Sequence, residues 1–111
     1  MFLTENDYIV ASADALTIFQ QSTPEKREKA EKMAIEEIAG YLRSRYDTGL
    51  IFSAVGDNRN DVIVMHACDI TLYHLVSWLP GKMGREIRKE RYERAIKWLE
   101  EVQAGKVTPN L

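Results

Sequence analysis

Cys68 is the only cysteine among 111 residues, which excludes an internal disulfide and a zinc site built from several thiolates. A lone thiol is compatible with a reducing compartment. A surplus of basic charge is also missing. Fifteen Lys and Arg stand against 17 Asp and Glu, a net charge of -2, so no general positive field exists to hold a phosphate backbone. Long apolar runs are absent too. The most apolar window, Val62 to Leu79, is interrupted by His66, Asp69, Thr71, His74 and Ser77, and it falls short of the ~20 predominantly apolar residues that span a bilayer. It reads as a buried helix, and no membrane partner is expected. The opening MFLTENDYIV carries acids where a secretory signal needs a basic stretch and an apolar run, so secretion is not expected.

What is present is the balance of a globular chain, 45% hydrophobic and 29% charged. A chain of this size buries over ~60% of its unfolded surface, enough for a core without metal or disulfide staples. A single helical domain over residues 1–111 is expected. Thr4 with Asp7 forms an acidic variant of the capping box before a short helix near Glu5 to Ala11. Ser12 is placed to cap a second short helix from Ala13 to Gln21. Thr23 followed by Pro24 marks the start of a long helix, because proline at the first helical position gives up an N–H that has no partner there. From it Ala30, Ala34, Ile35, Ile38, Tyr41, Leu42 and Tyr46 recur at helical spacing. A helix running to about Tyr46 would be roughly 34 Å long.

Gly49, Gly56 and the polar run GDNRND mark Asp47 to Asn60 as a long loop. Within it Leu50, Ile51 and Phe52 either tuck beneath the loop as a satellite of the core or form a contact surface for another subunit. Asp61 to Leu79 is apolar almost all round a helical projection and is the expected central helix. Pro80 and Gly81 stop it. A last helix follows Gly84 and runs to about Ala104, with Gly105 as its stop and Tyr92, Ala95, Ile96, Leu99 and Val102 on its core face. The fold class is therefore all-α, a compact bundle of four to five helices with one long amphipathic helix and a buried central one.

Candidate chemistry is sparse. His66 and Cys68 are two apart on a helix, about 200° round its axis, and cannot form a nucleophile–base pair. His74 has no carboxylate at ligand spacing for a metal. DNRND alternates acids and amides as calcium loops do, but counting from Asp57 the third position is Arg59, the required glycine is Val62 and the twelfth residue is Cys68. Asn60 is better read as the cap of the central helix. No phosphate-binding glycine loop or nucleophile elbow occurs, so no catalytic residue, metal or cofactor is expected.

Asp69 projects among apolar neighbours and should point inward, where a carboxylate needs a partner. Arg88 on the last helix and Arg45 on the long helix are the candidates for a structural ion pair. Lys82 to Lys97 holds seven basic residues against three acids, with ordinary ion-pair spacings among them. Ile87 and Trp98 project together on a face apart from the core stripe, beside Arg91 and Arg94. Aromatic plus arginine is an interface composition, although a second buried contact within the domain accounts for it equally well.

Three stretches, EIAGYLRSRYD from Glu37, HACDITLYHL from His66 and RYERAIKWLEEVQAGKVTPNL from Arg91, together with the order of elements, resemble the phage Mu-like prophage family of small virion-associated proteins. That family is grouped with the all-helical head–tail connector proteins. The resemblance implies a noncatalytic structural protein at the head–tail junction, acting by ring assembly or by docking at the portal. It implies self, portal and tail proteins as partners, and a location in the virion after assembly in the host cytoplasm. Ring formation requires two different patches per subunit, and the candidates are the Ile87, Arg91, Arg94 and Trp98 face and the Leu50, Ile51 and Phe52 segment. The Asp47 to Asn60 segment is longer and more polar than the family leads one to expect. The alternative reading is a small helical DNA-binding regulator using the basic last helix, with sequence-specific binding not expected from the charge distribution.

Overall fold

The computed structural model describes residues 2–80 and 85–111. Over these the chain is all-helical, with six α-helices: α1 (Glu5–Ala11), α2 (Ala15–Gln21), α3 (Pro24–Leu42), α4 (Thr48–Ser53), α5 (Asp61–Trp78) and α6 (Arg85–Gln103), plus a 3-10 turn at Gly56–Asn58. No described helix is long and apolar enough to cross a membrane. The helix stop at Gly81, the glycine before the last helix, Gly84, and the basic Lys82 lie outside the described residues.

Local chemistry explains most boundaries. The Thr4 hydroxyl accepts from the Asp7 N–H while the Asp7 carboxylate accepts from the Thr4 N–H at 2.7 Å, so the capping box is complete. Thr23 accepts from the Lys26 N–H ahead of Pro24. Gly105 closes α6 at φ 79°, a conformation that costs glycine little, with the Lys106 N–H bonded back to the Glu101 carbonyl at 2.9 Å. Ser12 does not cap α2. It ends α1, and its hydroxyl donates to Asp14, which stands at the start of α2. Helix α3 stops at Leu42, short of Tyr46, whose N–H still bonds to the Leu42 carbonyl.

The segment 47–60 is not a long loop. Asp47 accepts from the Leu50 N–H and starts α4, so an aspartate at the end of a turn acts as an N-cap. Six residues of helix are too short for a periodic signal. The expected four to five helices therefore become six among the described residues.

One core holds these elements together, with α5 at its centre packed by α6, α3, α1 and α2. Ile63, Ala67, Ile70, Leu72 and Leu75 of α5 are buried, against Ile38 and Leu42 of α3, Leu99 and Val102 of α6, and Tyr8 and Ile18 of the first two helices. Because neighbours cover α5 on several sides, no face of it needs to be consistently polar. Helices α5 and α6 run antiparallel, as the pairings of His66 with Trp98, Asp69 with Arg94 and Tyr73 with Tyr92 require.

Asn60 anchors the start of α5. Its side-chain oxygen accepts from the Val62 and Ile63 N–H groups, both at 3.0 Å, and its amide donates to the Asn110 carbonyl. Replacing Asn60 with Ala is expected to cost about 1–2 kcal/mol of stability, measured by urea denaturation, and to release the 107–111 segment. An unchanged midpoint would mean that the cap is dispensable.

Candidate functional site

The most strongly charged interior point is Asp69, fully buried on α5. The N-terminal half of α6 presents arginines at three- and six-residue intervals, and three of them converge on it. Arg94 donates to Oδ2 at 3.2 Å, while Arg88 and Arg91 lie 3.9 Å from Oδ1. Arg88 is itself 1% exposed and reaches Asp14 at 3.3 Å, tying α6 to the α1–α2 junction. Burial pushes the Asp69 carboxyl above its ordinary range despite Arg91, Arg94 and Arg88, and pulls the Arg88 guanidinium down despite Asp14 and Asp69. Both directions say that loss of water outweighs attraction. Asp69 Oδ1 and the Nε and Nη1 of Arg88 have no hydrogen-bond partner among the described residues.

Arg45 is not part of this group. It is exposed, and its guanidinium lies beside Gly105, where an added Cβ would come within 3.2 Å. Projection onto the face of α3 could not show that the regular helix ends at Leu42 and leaves Arg45 in the following turn, beside the end of α6.

The remaining residues singled out from sequence fall into two places. Ile87 is 53% exposed on the first half of α6, with Arg91 and Arg94 following along the same stripe. Trp98 is half-buried, packs against the core and lies 4.9 Å from the His66 ring, so much of its apolar surface is already covered from within. At the other end of the α5–α6 pair, Phe52 meets Phe2 edge-on at 5.0 Å and Ile51 packs against the core, whereas Leu50 is 70% exposed. Leu50 and Ile51 line a groove of about 740 Å³ between α4, the 3-10 turn and the C-terminal segment, with Asn60 and Leu111 also on its walls. Arg59 borders this groove but is committed elsewhere. It binds the Asp7 carboxylate at 2.6 and 3.1 Å and the Phe2 carbonyl at 2.8 Å.

A second polar cluster escaped sequence reasoning. His74 Nε2 lies 2.6 Å from Glu37 of α3, and the Tyr92 hydroxyl donates to the same carboxylate at 3.1 Å. Tyr92 stacks on Tyr73 with centroids 4.3 Å apart. Burial, with Glu37 adding to it, pushes the Tyr92 hydroxyl up to about 12. The partners are 37 and 55 residues apart, so no local spacing signals them. His66, by contrast, is buried with its Nδ1 unpartnered among the described residues. Cys68 is buried, and its thiol is pushed far up by desolvation, the setting of an inert thiol. No group of three or more His, Cys, Asp or Glu suited to a metal ion occurs among the described residues.

The fold and these features define a class: a small all-helical protein whose ion network ties α5 and α6 together beneath a basic, partly apolar stripe. The chain belongs to the family described as Bacteriophage Mu, Gp36, whose model matches residues 4–111. Comparison with curated proteins and with solved structures found no match.

Proposed function

We infer that this protein is a noncatalytic component of a phage particle at the head–tail junction, working by ring assembly or by docking where the portal meets the tail. The observation that carries this reading is the family match across residues 4–111. The surface supports it. An apolar anchor beside arginine, as Ile87 is beside Arg91, is a composition suited to burial against a partner. The DNA-binding alternative gains no such support, because Arg88, Arg91 and Arg94 surround Asp69 instead of forming an open phosphate footprint.

Deleting the gene from an inducible phage is expected to leave heads and tails unjoined, seen by electron microscopy of the lysate. Joined, infectious particles from the deletion would defeat the reading. Ile87→Glu, at an exposed position, should lower incorporation into particles by about tenfold, read by mass spectrometry of purified virions, with an unchanged melting temperature. Normal incorporation would remove the α6 stripe from the contact. Trp98→Glu is a poorer probe, since it would set a carboxylate against the His66 ring and the core.

A further inference from the structure

We infer that the groove between α3 and α6 receives an arginine carried on an extended segment of another protein. Its walls are Glu37 and Tyr41 of α3 and Tyr92, Glu93, Ile96 and Glu100 of α6, and it holds about 600 Å³. On α6 these residues fall on the flank away from Ile87, Arg91 and Arg94, so the groove is separate from the network at Asp69. Three carboxylates on its lining stand against one ammonium, that of Lys97. Lys89 holds Glu93 only loosely, at 3.9 Å with the two side chains 69% and 64% exposed. Glu100 is exposed and joins no ion pair among the described residues. Glu37 is committed to His74 and Tyr92, one on each oxygen, which fixes its carboxylate on the α3 wall and leaves each oxygen a lone pair for a further donor.

The occupant follows from this chemistry. Carboxylates set among tyrosine rings and the Ile96 side chain suit a flat cation. A guanidinium bonds a carboxylate through two N–H groups and lies against an aromatic ring, whereas a compact ammonium is more strongly hydrated. A second observation comes from α3 itself. Gly40 lies three residues after Glu37, hence on the same side of the helix. It is exposed, and a Cβ placed there would meet no packed neighbour within 4 Å. Glycine inside a helix is destabilising relative to alanine, and no close contact among the described residues requires it. Bare helix beside an acidic groove gives a partner's backbone room to approach until its arginine reaches Glu37. The inference rests on the reading above only in taking the protein to work by contact, and it names the chemistry of the partner.

Titrating the full chain with a capped pentapeptide, one arginine flanked by alanine and serine, tests it through amide chemical shifts. Saturable shifts confined to the groove residues are expected, with a Kd of about 1 mM. The same peptide with citrulline in place of arginine should bind about tenfold more weakly, and Glu100→Lys should weaken binding of the arginine peptide by a similar factor. Gly40→Gln should raise the melting temperature by about 4 °C and yet weaken binding about tenfold, because the added side chain blocks the approach. A glycine with a purely structural role would not give that pairing. Absence of shifts up to about 10 mM peptide, equal binding of the citrulline peptide, or full affinity in either variant overturns the proposal. Shifts at these residues that grow with protein concentration alone would assign the groove to a second copy and overturn it as well. A protein that enters particles without binding the peptide refutes this inference alone. One that binds the peptide but is absent from particles refutes the proposed function alone.

Discussion

Replacing Asp69 with Ala is expected to destabilise the fold by about 3–5 kcal/mol. The reason is asymmetric. Arg91 and Arg94 reach solvent and can turn outward when the carboxylate is gone, but Arg88 is almost wholly buried and would keep only Asp14 at 3.3 Å. A buried guanidinium deprived of its only fully buried counter-charge, and left with the more exposed Asp14, bears most of the loss. The double variant Asp69→Ala with Arg88→Met should recover much of it, because removing both charges also removes the desolvation that already raises one pKa and lowers the other. Urea denaturation of the three proteins provides the comparison. A loss below about 0.5 kcal/mol for the single variant, the scale of an ordinary surface change, would show that the network does not hold α6 in place.

Stability should also fall as pH drops from about 6.5 toward 4, because of His66. Burial first, and the Arg94 charge second, pull its imidazole from 6.5 down to about 4. Above pH 6.5 the ring is neutral in both states and contributes no slope. Below it the unfolded chain takes up a proton that the folded chain refuses, so unfolding is favoured until the folded ring also protonates near pH 4. Over that window the loss amounts to about 3 kcal/mol. Asp69 and Glu31 act in the opposite sense, since burial raises both carboxyls and their contribution declines as pH rises through the ordinary carboxylate range. The measurement is therefore a difference: melting of the wild type against His66→Phe, which keeps a ring for Trp98 to lie on. A constant gap between the two from pH 4 to 7 would contradict the assignment.

What the sequence by itself determined were the features whose causes are local. Thr4 with Asp7, Thr23 before Pro24, Asn60 and Gly105 each satisfy or terminate a helix through bonds within a few residues, and such signals are readable in one dimension. The apolar surround of α5 foretold a central helix, and the inward projection of Asp69 foretold its burial. Family kinship was legible in packing and capping residues. Tertiary structure alone decided which cations meet Asp69. Arg88, Arg91 and Arg94 converge from α6 because the two helices pack antiparallel at one register, while Arg45 lies beyond the end of α3 against Gly105. It likewise turned part of the apparent loop into α4, set Trp98 on His66, and joined His74 to Glu37. Except for α4, which is too short to show a period, these are contacts between separate elements. Their energies depend on distance and exposure in three dimensions, which residue spacing along one helix does not encode.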